Sequence, residues 1–335
     1  MKKFILLLLL STVGTQAKVN LFSPEETCYP EPVRAELLSL GAQEVTFTTT
    51  DDVAVKALYV ERPQAPATII VSPGFLMLKE FYAAFVLHFP EHNILLIDPR
   101  GQGESGGTRW WQSMLTYGLH DYLDVVAAVH FVSEKTHKPI VVYGSCAGAF
   151  NAARALIHLQ KNNLISHFNV KGFIFESGWH SVANAGVSAA LGLTSSSIFE
   201  YLQGKAPNPS QAEHPTLRKA LSTLQKTKIF SRTYATCKEA MHLMHWLVGD
   251  HMTDLDEKVD IAKDLRTLPL PIFFIHALDD HYIPFTSAYL LSTTIKDAHC
   301  WWIGKGASWH VRHHCYLGDE FRSKVGDFCR YALKK

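Results

Sequence analysis

The chain has 335 residues, 47% of them apolar and only 19% charged, a balance that suits a globular protein with a large core and argues against disorder. Its formal charge is +1 and no long basic or acidic run interrupts it, so neither nucleic acid nor an anionic membrane surface is indicated as a partner. A small or neutral ligand fits this balance better.

The first seventeen residues, MKKFILLLLLSTVGTQA, place two lysines before an apolar run from Phe4 to Leu10 and close on Thr15-Gln16-Ala17. This is the layout of a secretory signal peptide cut after Ala17. The run is far shorter than the roughly 20 residues of a spanning helix, and no later segment reaches that length. We therefore expect an exported protein, periplasmic or secreted, without a stable membrane anchor; an uncleaved leader is the alternative. No cysteine adjoins the cleavage region, which speaks against a lipoprotein. Export would put the six cysteines, at 28, 146, 237, 300, 315 and 329, where disulfides can form. If Cys146 stays free the remaining number is odd, and the pairing is not legible.

A Pro-rich stretch around Cys28 (SPEETCYPEP) is expected to run over the surface within an extension at 18–44. EVTFTTTDDVAVKALYVERP then alternates apolar and polar residues around Asp51-Asp52 and reads as a β-hairpin. TIIVSPG and NILLIDPRG are short apolar runs broken by Gly and Pro, the pattern of strands covered on both faces. Between them FYAAFVLHF reads as a helix, and Leu119 to Thr136 reads as another with Leu123, Val126, Ala127 and Phe131 on one face. PIVVY, VKGFIFES, PLPIFFIHA and HCWWIG supply further strands. The alternation predicts an α/β fold with a mostly parallel sheet and helices on both faces. About 90 residues, 178–267, lack strong strand runs, too many for a loop, and read as an inserted helical cap between core segments 45–177 and 268–335.

The chemistry concentrates in Val141 to Phe150, VVYGSCAGAF. A nucleophile on a sharp strand-to-helix turn needs small neighbours two positions away on either side, because the strained backbone leaves no room for bulk. Gly144 and Gly148 meet that need for Cys146, whereas Ser145 would have Tyr143 and Ala147 as its flanks. A lone cysteine is more often an inert packing residue, but one between two such glycines is not placed for packing alone.

With G-x-C-x-G at 144–148, the chain resembles the α/β-hydrolase superfamily, and the cysteine is similar to that of dienelactone hydrolases. Asp98-Pro-Arg-Gly-Gln-Gly-Glu-Ser-Gly-Gly107 resembles the loop after the fourth strand in lysophospholipase-like and serine-aminopeptidase-like members, where it shapes the site without reacting. Ser72-Pro-Gly-Phe-Leu76 stands where many members have His-Gly-x. The order nucleophile, acid, histidine then implies Asp280 in FFIHALDDHYIPF as the acid, with Pro284 closing the pattern and Asp279 as the competing neighbour. It implies His310 in GKGASWHVRHHC as the base, ahead of His313 and His314.

The resemblance further implies backbone N–H groups of Phe75 and Ala147 as the oxyanion donors, with no cofactor. His310, His313, His314 and Cys315 imitate a metal cluster, but no second ligand group supports one, and no metal is expected. His242 and His245 read as solvated or packing residues. The expected activity is cleavage of a carboxylic ester, lactone or thioester through a Cys-His-Asp triad, with an apolar acyl group suggested by the Leu, Met, Trp and Phe of the cap. A hydrolase-shaped binding protein and a redox-sensitive thiol protein remain the alternatives.

Overall fold

The computed structural model describes residues 19–107, 120–181 and 260–335 except 24, 29, 281, 284, 305, 308 and 309, together with 228, 232, 235 and 236. The leader, nearly all of the expected cap, Pro284, Cys237, His242 and His245 lie outside the described residues.

Eight strands form one sheet in the order β1-β2-β4-β3-β5-β6-β7-β8. They are β1 Ala42–Thr48, β2 Ala54–Val60, β3 Thr68–Ser72, β4 Asn93–Ile97, β5 Ile140–Ser145, β6 Val170–Glu176, β7 Ile272–Ala277 and β8 Ala298–Ile303. The expected hairpin is β1-β2, antiparallel with Ala42 opposite Val60, and β2 runs antiparallel to β4. From β4 through β8 every pairing is parallel.

The apolar runs are explained by alternation, since successive side chains point to opposite faces of a strand. Ile70, Val142 and Phe274 join the core on one face, with α3 (Tyr122–Thr136) and α4 (Ala147–Lys161). Ile69, Val71, Val141, Tyr143, Phe273 and Ile275 join the core on the other, against α1 (Pro30–Ser39) and α8 (Gly318–Ala332). Both faces are therefore covered, which requires apolar residues at consecutive positions.

One expectation here needs correction. FYAAFVLHF is not one helix but a 3-10 turn at Lys79–Tyr82 followed by the single-turn α2, Phe85–His88. Its start is drawn aside by Asp98, whose Oδ1 accepts from the Lys79 N–H at 2.9 Å while Oδ2 accepts from Lys79 Nζ at 2.6 Å. The Pro-rich stretch around Cys28 does lie at the surface, with Glu25, Glu26, Cys28, Glu31 and Pro32 exposed; it forms a 3-10 turn at Glu26–Cys28 and then enters α1, which buries Val33 and Leu37 completely.

Lys79 also lies 3.2 Å from carboxylate oxygens of Glu80 and Glu104, and its side chain is only 2% exposed. Removing one partner of a buried pair leaves an uncompensated charge. We expect Lys79→Met to lower unfolding free energy by about 3–5 kcal/mol, read from denaturant midpoints at constant slope.

Among the described residues, further helices are the short α5 Ala262–Leu265 after the expected cap, α6 Phe285–Ser292 and α7 His313–Tyr316. Ser181 and Asp260 form an antiparallel bridge, and the Ile261 N–H donates to the His180 carbonyl at 2.9 Å. The described chain before residue 182 and after residue 259 thus meets beside the end of β6.

Candidate active site

In an open parallel sheet, sites form beyond the C-terminal ends of the strands, where loops diverge. β3, β5, β6, β7 and β8 all deliver their ends to one side here, and the residues singled out by the sequence follow directly: Ser72–Leu76, Cys146, Asp280 and His310.

Cys146 sits between β5 and α4 with φ 53° and ψ −118°, a conformation that side chains rarely adopt. Its N–H is held by the Glu176 carbonyl at 2.9 Å. The flanking glycines are explained by contact. A Cβ on Gly148 would meet the Ser72 carbonyl oxygen at 2.1 Å, and one on Gly144 would meet the Gly148 carbonyl oxygen at 2.5 Å. Ser145 is completely buried and faces inward.

The β3 turn closes over this elbow so tightly that a Cβ on Gly74 would meet the Cys146 Cβ at 3.0 Å. Phe75 is the next residue, and Leu76 after it takes a positive φ of 59°. Ala147 is the first residue of α4, so its N–H has no acceptor within the helix.

His310 Nδ1 bonds Asp280 Oδ2 at 2.6 Å, and Cys146 hydrogen-bonds the same ring. Burial alone would discharge His310, but the charge of Cys146 and the bonds from Asp280 and Cys146 outweigh it and push its pKa up to about 11. His310 is therefore held in its charged form beside Cys146. Burial would likewise raise Asp280, yet hydrogen bonds from His276 and His310 hold its carboxyl far below the usual range. Its Oδ1 accepts from the Tyr282 and Ile283 N–H groups, each at 2.9 Å, which fixes the carboxylate plane.

The neighbouring candidates separate cleanly. Asp279 turns away to accept the Gly306 N–H at 2.8 Å. His314 Nε2 bonds the Phe81 carbonyl at 2.9 Å, and burial lowers its pKa to about 4. His313 Nδ1 bonds Glu176 Oε1, with both side chains wholly buried. No group of three His, Cys, Asp or Glu suited to a metal ion occurs among the described residues. Cys146, Cys300, Cys315 and Cys329 are free thiols, and Cys28 Sγ accepts from Arg312 at 3.4 Å.

Two residues escaped the sequence reading, Glu176 and His276. Each is a polar residue inside an otherwise apolar strand run, FIFES and FFIHA, and that mismatch was the available signal. Burial alone would raise the Glu176 pKa, but the charge of His313 and its hydrogen bond bring it down to about 2. Lowered from 4.5, this carboxylate contributes stability that is present above pH 4.5 and is lost as pH falls through 2. Wild type should therefore lose about 3 kcal/mol more than Glu176→Gln between those limits, measured by denaturant unfolding at each pH.

The loop Asp98–Gly107 carries no reacting group toward Cys146. A Cβ on Gly103 (φ 54°) would meet Asp98 Oδ2 at 2.2 Å, and Arg100 bonds Asp124 at 2.7 and 2.8 Å and Asp51 at 2.6 and 3.0 Å. It is a charge-locked wall behind the strands.

No curated protein matches the chain. Among solved structures, an esterase of Pyrococcus furiosus is 16% identical over 93% of this chain and 94% of its own, with a TM-score of 0.57. A putative aryl esterase from Burkholderia cenocepacia is 17% identical over 88% and 100%, TM-score 0.54. A putative lipase from Acinetobacter baumannii is 12% identical over 90% and 95%, TM-score 0.55. At such identities these structures share the α/β-hydrolase fold seen here. The family description "Serine aminopeptidase, S33" matches residues 63–303, from the approach to β3 to the end of β8. The chain therefore belongs to the serine aminopeptidase S33 family of α/β-hydrolases.

Proposed function

We propose that the chain is an exported thiol hydrolase that cleaves carboxylic esters, lactones or thioesters through Cys146, His310 and Asp280. The observation that carries this reading is the His310 ring, bonded to both Asp280 and the cysteine of the elbow and held in its charged form by the pair. The relatives described as esterases and a lipase support the ester class.

Cys146, at the N-terminus of a fifteen-residue helix, attacks the carbonyl carbon as a thiolate. The oxyanion is taken up by the N–H groups of Phe75 and Ala147. The C–O bond breaks, and His310 passes its proton to the departing alcohol. Water, deprotonated by His310, then opens the thioester and returns the thiolate. Asp280 keeps the ring in one tautomer throughout.

A thiolate leaves as readily as it attacks, so a poor leaving group sends the adduct back to substrate. Esters and thioesters should react and amides should not. Exposed Leu76 beside Phe75, and Tyr282, whose ring centroid lies 5.2 Å from that of His310, offer apolar contacts to an acyl chain. Export is supported by the leader pattern of residues 1–17.

The test is a panel of p-nitrophenyl esters of short and medium chain, an acyl thioester and a p-nitroanilide. Turnover of esters and thioester at least about a hundredfold above the anilide is expected, since about 2.7 kcal/mol of leaving-group difference suffices. Equal cleavage of the anilide, or no turnover of any member, would count against the reading.

A further inference from the structure

We propose that Glu176 is a positioning residue that sets the distance between nucleophile and base. It acts at both ends. Its carbonyl accepts the Cys146 N–H at 2.9 Å, and its carboxylate accepts His313 Nδ1, three residues beyond His310. One residue, closing the strand next to β5, thus ties the elbow to the loop that carries the histidine. This inference rests on Cys146 being the nucleophile.

The loop needs such a tie. Val311 and Arg312 follow His310 with φ of 54° and 57°, consecutive left-handed residues, the first β-branched. A strained pair of this kind persists only when its surroundings fix it. His313 begins α7 immediately afterwards, and its bond to Glu176 lies at the seam where the strain ends. His314 is anchored separately, through Phe81 and through His88, whose Nε2 bonds the His314 carbonyl at 2.6 Å. Those two bonds hold the loop to the β3–β4 segment. The Glu176 bond leads back to the residue that holds the Cys146 N–H.

The surroundings suit a pair that is never exposed. Glu176, Ser145 and His313 are all shielded from solvent, and Tyr82 and Tyr143 lie within the field of the carboxylate, which with burial raises both phenols well above their usual range. A substrate cannot reach this pair past Cys146, so its effect on the reaction passes through the positions of Cys146 and His310.

The experiment compares Glu176→Ala and His313→Ala with Glu176→Gln and His313→Asn. The amide variants keep an acceptor, or a donor, where the bond is made. Per folded molecule, the alanine variants should lose about 10–100-fold in kcat with KM within twofold, since an ångström of misplacement costs that much. The amide variants should recover to within about threefold of wild type by the same positional argument. Alkylation of Cys146 by iodoacetamide should slow in the alanine variants by a like factor, and it reads the thiolate pairing whether or not any ester is turned over. Rapid wild-type alkylation without ester turnover would remove the hydrolase reading and leave this one standing. Unchanged kcat and alkylation rates in folded Glu176→Ala or His313→Ala would overturn it, as would amide variants no better than alanine. Should Glu176→Ala fail to fold, His313→Ala carries the comparison.

Discussion

Cys146→Ala is expected to lower kcat on a p-nitrophenyl ester by at least about 10⁴-fold, because loss of a nucleophile leaves only binding and oxyanion stabilisation. The elbow geometry makes substitution by a neighbour implausible: Ser145 is wholly buried, and no other described thiol lies on the strand-to-helix turn. A second readout follows from the charges. The charge interaction with Cys146 is the main influence raising His310 against burial, so in the alanine variant the His310 pKa should fall from about 11, observed by NMR titration of the ring. A variant that keeps its activity, or a ring whose titration does not move, would separate the cysteine from the histidine.

Gly148→Ala should be the most damaging added methyl among the described glycines. Its Cβ would lie 2.1 Å from the Ser72 carbonyl oxygen and 2.3 Å from that of Pro73, both backbone atoms that cannot rotate aside. Either β3 and its turn move away from α4, or the elbow opens. Overpacking of a core typically costs about 1–3 kcal/mol, and contact with fixed backbone puts this case at or above the upper end. Because Gly74 and Phe75 follow Pro73 directly, activity should fall by more than the folded fraction does. Thermal unfolding and turnover of the same sample check this. Gly41→Ala, where no heavy atom lies within 4 Å, should differ little in activity even though its φ of 89° strains the backbone.

What could be read from sequence followed the strength of each local signal. TIIVS, NILLI and IFFIHA are continuous apolar runs because both faces of the sheet are covered, and they became β3, β4 and β7. The elbow was legible because Gly144 and Gly148 are forced by contacts within ten residues of chain and with one neighbouring turn. FYAAFVLHF misled because its apolar composition fits a helix, while the break comes from Asp98, nineteen residues away from Lys79, which no periodicity reports. α1 was missed for a related reason: two prolines, Pro30 and Pro32, suggested an irregular stretch, yet they stand in the first turn, where proline costs a helix nothing.

The separation of Asp279 from Asp280 likewise needed coordinates. Adjacent carboxylates in a loop have the same chemistry, and their partners distinguish them: the Gly306 N–H for Asp279, and His310 with the Tyr282 and Ile283 N–H groups for Asp280. The pairing of Glu176 with His313 was overlooked because its meaning is mutual. A carboxylate ending an apolar strand and a histidine in a histidine-rich turn, 137 positions apart, become intelligible only once they touch.

The central claim is that the acyl group passes through sulfur, and mass spectrometry of the intact protein tests it most directly. Mixing with a medium-chain p-nitrophenyl ester and quenching in acid within the first turnovers should add one acyl group, mapped by peptide digestion to Cys146 and released by hydroxylamine as a thioester is. The adduct should be absent from Cys146→Ala. Turnover with no adduct on Cys146, or an acyl group of the same lifetime mapped to Ser145 or any other residue, would contradict the account.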